Sequence, residues 1–136
     1  DVLYSKLRPY LNKVIVPTAD GIGSTEWVVY RPNPKLIRRE YLAFVMRTKW
    51  FVSLASGTSY GARMPRANKS VLREIKIPIP LITDPGQSLS IQEQIVERIS
   101  QFSSDVDSMQ KGNAQQQRLL VQLEQSILAQ AFRGEL

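Results

Sequence analysis

Between Ile95 and Ile127 the core-like positions of this chain step by four and three: Ile95, Ile99, Phe102, Val106, Met109, Asn113, Gln116, Leu120, Leu123 and Ile127. Residues at that interval share one stripe of a helix, and a stripe sustained over several heptads is a coiled-coil seam. The polar pair Asn113 and Gln116 interrupts it at its centre. A helix of roughly 40 residues at ~1.5 Å per residue would be about 60 Å long. The domain that precedes it is too small to cover that stripe, so the pattern predicts a long helix that needs another helix. Ser90 reads as its N-cap, with Glu93 three residues on completing a capping box.

Upstream the period changes. Residues 2–11 alternate loosely and Lys13 to Val16 follow, which with Pro9 between them predicts a strand, a bend and a second strand. Residues 20–24 form a turn, and residues 26–31 are a β-rich strand. Pro32-Asn33-Pro34 breaks it. Leu36, Ile37, Tyr41, Phe44, Val45, Thr48, Phe51, Val52 and Ala55 then recur at helical spacing, as one helix or two short ones. Gly57 ends that stretch and opens a loop to Lys69. Ser70 is read as the cap of a short helical turn through Glu74. Residues 75–80 are extended, with prolines that suit an edge strand or an exit segment, and residues 83–88 read as a linker. The expected fold class is α+β: a small mixed domain over residues 1–86, then a linker and long helix over residues 87–136.

Composition narrows the chemistry. A hydrophobic fraction of 43% suits a folded chain, and no run is long enough to span a bilayer. The absence of Cys and His removes disulfides, thiolate or imidazole metal sites and Ser-His catalysis. No initiator Met or signal-peptide pattern opens the sequence, which reads as a piece of a longer protein. Fourteen Lys/Arg against five Asp/Glu give residues 1–80 a balance of +9, whereas four against seven give residues 81–136 a balance of −3. A basic head on an acidic helix points to a polyanion, with nucleic acid ahead of membrane; the plainer alternative is a soluble basic surface.

Within the head, the Gly57–Lys69 loop gathers Tyr60, Arg63, Arg66 and Lys69 among glycines that permit close backbone approach. Such a set can stack, donate to phosphates or meet guanine edges, or it can be a solvated connection. Lys6 and Arg8 are further phosphate candidates or plain strand-face charges. Arg38, Arg39, Arg47 and Lys49 read as an exposed helix side, and Trp27, Trp50 and Phe51 as core. Asn113 and Gln116 either fix register or partner number in a coiled coil, or mark a local break beside Gly112. Leu128 and Phe132, with Ile127, exceed what one seam needs. Glu74-Ile75-Lys76 lacks the Pro-Asp partner of a nuclease metal site, Asn33-Pro34-Lys35-Leu36 is not an amino-methyltransferase loop, and no glycine-rich cofactor fingerprint exists. The expectation is a chain that is not an enzyme and takes no cofactor or metal.

Three stretches carry a resemblance. Asp1-Val2-Leu3-Tyr4-Ser5-Lys6-Leu7-Arg8-Pro9-Tyr10, Ile77-Pro78-Ile79-Pro80 leading to Gln92-Glu93-Gln94-Ile95-Val96, and the tail from Ser126 to Leu136 resemble specificity subunits of Type I restriction–modification systems. The resemblance runs over nearly the whole chain, and its tail is the most specific part. It implies the later part of a target recognition domain followed by one spacer helix, which pairs antiparallel with a second helix. It implies double-stranded DNA as ligand, each domain reading half of a bipartite target. It also implies methyltransferase (modification) and restriction subunits as partners, a docking surface at Leu128 and Phe132, self-association through the long helix, and a cytoplasmic location. Two departures stand out: the first strands of the domain are missing, and residues 83–90 lengthen the link to the helix. Two rivals remain on the residues alone, a coiled-coil assembly protein with an incidental basic head and a fragment of a larger DNA-modifying enzyme.

Overall fold

The computed structural model describes residues 1–57 and 59–135, and the fold is α+β. Strand β1 (Val2–Ser5) lies between β2 (Val14–Ile15) and β3 (Trp27–Tyr30), antiparallel to both. Tyr4 stands opposite Val14 and Val28, and Leu3 opposite Ile15 and Val29. Because side chains alternate across a strand, Val2, Tyr4, Val14 and Val28 fall on one face and are buried, while Ile15 and Val29 are exposed on the other. Pro9 opens a 3-10 turn, Pro9–Leu11, between β1 and β2. Its missing N–H costs nothing there. Arg8 and Asn12 flank the turn in the left-handed region, at φ 51° and 49°.

The helical stripe from Leu36 resolves into two helices, α1 (Arg39–Arg47) and α2 (Lys49–Gly57). Thr48 divides them: its backbone is extended, its hydroxyl donates to the Val45 carbonyl at 2.7 Å, and the same oxygen accepts the Phe51 N–H at 3.3 Å. One side chain thus closes α1 and caps α2. Residues 33–37 are held as a turn, with the Leu36 and Ile37 N–H groups donating to the Asn33 carbonyl. Phe51 meets Tyr4 edge to face with ring centroids 5.1 Å apart, and these two rings with Met46, Leu72 and Val28 centre the core. Trp50 was expected in that core and is exposed instead, on the outer side of α2, with only its edge near Phe51. Trp27 is half-buried.

Helix α3 (Lys69–Glu74) is capped by Asn68, not by Ser70: the Asn68 Oδ1 accepts the Ser70 N–H at 2.9 Å. Asn68 is extended and as good a cap as serine, so the cap lies two positions before the residue chosen from sequence. Residues 75–80 are extended but join no ladder, and Ile75, Ile77 and Ile79 pack against the core. They are an exit segment, pinned by the Tyr41 hydroxyl donating to the Pro78 carbonyl at 3.0 Å. The Tyr30 hydroxyl similarly donates to Leu72 O at 3.1 Å, and burial raises the Tyr30 pKa to about 12.

Helix α4 runs from Pro85 to Arg133, 49 residues, or about 73 Å. It starts well before Ser90. Asp84 is the cap, its Oδ1 accepting the Gln87 N–H at 3.1 Å, and Pro85 takes the first helical position. The stretch read as a linker is therefore mostly the first turn of α4, and Glu93 completes no capping box. Its carboxylate instead accepts from Arg38 at 2.7 Å. Arg38, expected on an exposed helix side, precedes α1 and is half-buried. Arg47 is exposed as expected, and one of its guanidinium N–H groups donates to the Val14 carbonyl at 3.0 Å.

Residues 1–96 and 97–136 form two compact units. Within the first, Gln92 is wholly buried and its amide makes three hydrogen bonds. Nε2 donates to Leu36 O at 3.0 Å and to the Ser88 hydroxyl at 3.1 Å, while Oε1 accepts the Arg38 N–H at 2.9 Å. In the second, nearly every described side chain of α4 is exposed. Among the described residues no helix is long and apolar enough to cross a membrane.

Candidate nucleic-acid interface and helix seam

The loop after α2 is given its shape by backbone bonds. Tyr60 and Arg66 exchange N–H to carbonyl bonds at 3.1 and 2.9 Å, closing the excursion of residues 61–65 between them. Gly61 sits at φ 92°, which an L side chain rarely adopts. On its other side the loop is laced to the chain leaving β1. Ala67 donates to Lys6 O at 2.8 Å, Arg8 donates to Pro65 O at 2.7 Å, and Leu7 bridges Arg66. The left-handed Arg8, a conformation that costs roughly 1–2 kcal/mol, is held by that short bond. Lys6, Arg8, Tyr60 and Arg66 are thus brought together, with Arg63 on the excursion between the closing pair. Lys69 lies just beyond, at the start of α3. Thr58, also on this loop, lies outside the described residues.

The charges in this cluster are not equivalent. The Arg66 guanidinium grips Glu26 through Nε, 3.0 and 3.2 Å from the two carboxylate oxygens, and through Nη2 at 2.9 Å. The Arg66 hydrogen bond holds the Glu26 carboxyl below its usual range against a smaller desolvation, and the Arg66 and Lys6 charges act in the same direction. Arg66 is raised in turn, first by that hydrogen bond. Arg66 is therefore committed to shaping the loop. Arg63 is exposed and makes no hydrogen bond or ion pair among the described residues; Lys69 is likewise exposed. The Arg8 Nε is buried without a hydrogen-bond partner among the described residues. Tyr60 presents an exposed ring.

Glu26 was missed in the sequence because its role depends on pairing. β3 lies beside β1, and the Lys6 N–H donates to Glu26 O at 2.9 Å, which sets the carboxylate beside the loop. The local sequence around Glu26 carries no such signal. Gln92 stood in plain view within Gln92-Glu93-Gln94-Ile95, and only its burial reveals what it does.

The seam residues of α4 separate into two groups. Ile95 is partly buried against the core of the first unit, and Ile99 is half-buried. Phe102, Val106, Met109, Leu120, Leu123 and Ile127 are all exposed, Phe102 by 69%. Asn113 and Gln116 are exposed between them. Leu120, Leu123, Ile127 and Leu128 line a shallow apolar depression. Phe132 is 90% exposed, and Leu136, the last residue of the tail, lies outside the described residues. Among the described residues there is no group of three or more His, Cys, Asp or Glu placed to hold a metal ion.

The described residues thus form a basic α+β head with a shaped cationic loop, followed by a long helix whose apolar seam is exposed. Residues 10–117 match the family model of the Type I restriction modification DNA specificity domain, and the chain belongs to that family. It is also similar to the Type I restriction enzyme EcoDI specificity subunit of Escherichia coli, 36% identical over 135 residues. That alignment covers 99% of this chain and 28% of the relative, so the chain spans little more than a quarter of its length. No solved structure matches.

Proposed function

We propose that this chain is a DNA sequence-recognition piece of a Type I restriction–modification complex, reading one half of a bipartite target. In this reading residues 1–86 are part of a target recognition domain, and residues 87–136 are the spacer helix with its tail. The reading is carried by the cationic loop laced to Lys6 and Arg8, in a chain of this family. Lys6, Arg8 and Lys69 meet phosphates, which position the protein and supply salt-dependent affinity; Arg63 and Tyr60 reach base edges and discriminate. Arg66 acts through Glu26 as a positioning residue. The chain catalyses nothing itself. It sets methyltransferase and restriction subunits on the DNA, pairs through α4 with an antiparallel helix, and offers Leu128 and Phe132 as part of the modification-subunit contact. It works in the cytoplasm, where that DNA is.

The test is a salt series of binding by the intact protein to duplexes with and without its target. Lys69→Ala weakens binding on every sequence and lowers the salt slope by about one phosphate contact. Arg63→Ala costs about 1–3 kcal/mol on the target and relaxes preference at one base pair. If Lys6→Ala, Arg63→Ala and Lys69→Ala all bind as the parent does, the loop is not the interface.

A further inference from the structure

Two cationic sites are fastened to the 3-10 turn between β1 and β2. At its start the Arg8 N–H donates to Pro65 O on the loop, and at its end the Asn12 amide donates to Arg47 O, 2.7 Å away, at the close of α1. Beside that second tether lies a cleft of about 340 Å³ lined by Tyr10, Asn12, Arg47, Lys49, Val52 and Ser53. We propose that this cleft grips the DNA backbone next to the bases met by the loop, with Arg47 and Lys49 on phosphates and the Tyr10 hydroxyl as a further donor. The inference adds a site to the DNA-recognition reading given above and rests on it.

Charge singles out this surface. Residues 2–19 and 41–73 contain nine Lys/Arg and no Asp or Glu. The fold packs these two stretches together, α2 against the 3-10 turn and α1 against β2. The acids of the head lie elsewhere, and three of them neutralise arginines, in the pairs Asp1–Arg31, Glu26–Arg66 and Glu40–Arg39. Arg47 and Lys49 are both exposed and have no such partner among the described residues. A surface of one sign draws in polyanions.

The side chains are arranged for phosphates more than for base edges. Arg47 is held in place by its bond to Val14 O at 3.0 Å and by the Phe44 ring, whose centroid lies 5.6 Å from the guanidinium carbon. That bond engages one of five guanidinium donors, so a phosphate meets an oriented cation and little rotamer freedom is lost on binding. Tyr10 is 56% exposed at the tip of the turn. Asn12 is the one amide in the cleft, but its Nδ2 is engaged by the tether and its Oδ1 is buried. No amide remains to read a base, which leaves backbone contact. From Arg8 to Asn12 is four residue steps, at most about 14 Å even if fully extended. That is about four base-pair steps at ~3.4 Å each, so one duplex meets both sites.

The test is a salt series of binding by the intact protein to a short duplex of arbitrary sequence, because phosphate contacts do not depend on sequence. Replacing Arg47 and Lys49 together with Gln is expected to lower the salt slope by about 1.8, two phosphates at ~0.9 each. Lys49→Gln alone should lower it by about 0.9; Lys49 makes no hydrogen bond or ion pair among the described residues, so this variant keeps the test valid if loss of the Arg47–Val14 bond loosens β2. Lys35→Gln with Lys76→Gln removes the same charge at exposed positions outside the cleft and should lower the slope by less than about one phosphate. Equal losses from the two pairs overturn the cleft, since net charge would then be the cause. Unchanged slopes for both cleft variants, while Lys69→Ala lowers it, overturn the cleft and leave the loop standing. Lower slopes for the cleft variants with none for Lys69→Ala support the cleft and remove that loop contact. A parent protein that binds no duplex even at low salt overturns the DNA reading, and this inference with it.

Discussion

Replacing Gln92 with Met removes the amide that holds the first turns of α4 to the head, while keeping an unbranched side chain of similar volume. Gln92 is wholly buried, and three bonds end on it: Leu36 O, the Arg38 N–H and the Ser88 hydroxyl. The hydroxyl can turn to another acceptor, but the two backbone groups are left without a partner. At about 1–3 kcal/mol for each orphaned group, the loss is about 2–6 kcal/mol. A small domain has only about 5–15 kcal/mol in all. At a urea slope of ~2 kcal/mol per molar, the midpoint should fall by about 1–3 M. The neighbouring Arg38–Glu93 ion pair spans 2.7 Å, but its side chains are 40% and 51% exposed. Arg38→Ala should therefore cost no more than about 1 kcal/mol. Urea unfolding followed by tryptophan fluorescence, with Trp27 and Trp50 both in the head, measures each variant. A Gln92→Met loss below about 0.5 kcal/mol, or one smaller than that of Arg38→Ala, would refute the reasoning drawn from buried polar groups.

Three further outcomes are expected. Tyr4→Phe should stabilise the head by about 1 kcal/mol, because the buried Tyr4 hydroxyl has no hydrogen-bond partner among the described residues and burial already raises its pKa to about 12; a loss of thermal stability would reveal a partner for it. Glu26 has a folded pKa below its unfolded value, so its contribution is present above the ordinary carboxylate range and is lost as pH falls through the folded pKa; Glu26→Gln should flatten that acid limb, and an unchanged pH–stability curve would refute it. Phe132→Ala should leave the head's circular dichroism unchanged while reducing recovery of the modification subunit by the intact protein; undiminished recovery would take the ring out of that contact.

Much of this architecture was legible because it rests on local signals. The β-rich run at residues 26–31, Pro9 between two extended segments and the seam from Ile95 each announced their element. The breaks were harder. Thr48 could sit within a helix or end one, and the choice depends on where its hydroxyl finds partners. The start of α4 was misplaced because Ser90 with Glu93 matches a capping box, yet Asp84, followed by Pro85, offers an equally good cap six residues earlier, and packing of Ser88 and Gln92 into the head favours it. The basic loop was legible as a set of residue types, but which arginine is free was not. Arg63 and Arg66 look alike in sequence, and only the pairing of β1 with β3 puts a carboxylate beside one of them.

That difference separates specificity from stability within a few residues. The loop's shape resides in backbone bonds, the Arg66–Glu26 grip and Gly61, none of which involves the exposed side chains of Arg63 and Tyr60. Arg63 can change without disturbing what holds the loop, so Arg63→Ala should alter stability by less than about 0.5 kcal/mol, as exposed substitutions do. Gly61 has the opposite character. At φ 92° a side chain is strained whatever the space, although its Cβ would only come into van der Waals contact with the Met64 carbonyl oxygen at 3.4 Å. Gly61→Ala should cost about 1–2 kcal/mol and blunt binding on every DNA sequence, because it displaces Arg63 without removing it. Thermal unfolding and binding to target and non-target duplexes distinguish the two variants. If Arg63→Ala proves the more destabilising, the side chain is part of the loop's scaffold, and the division between readers and supports fails at this position.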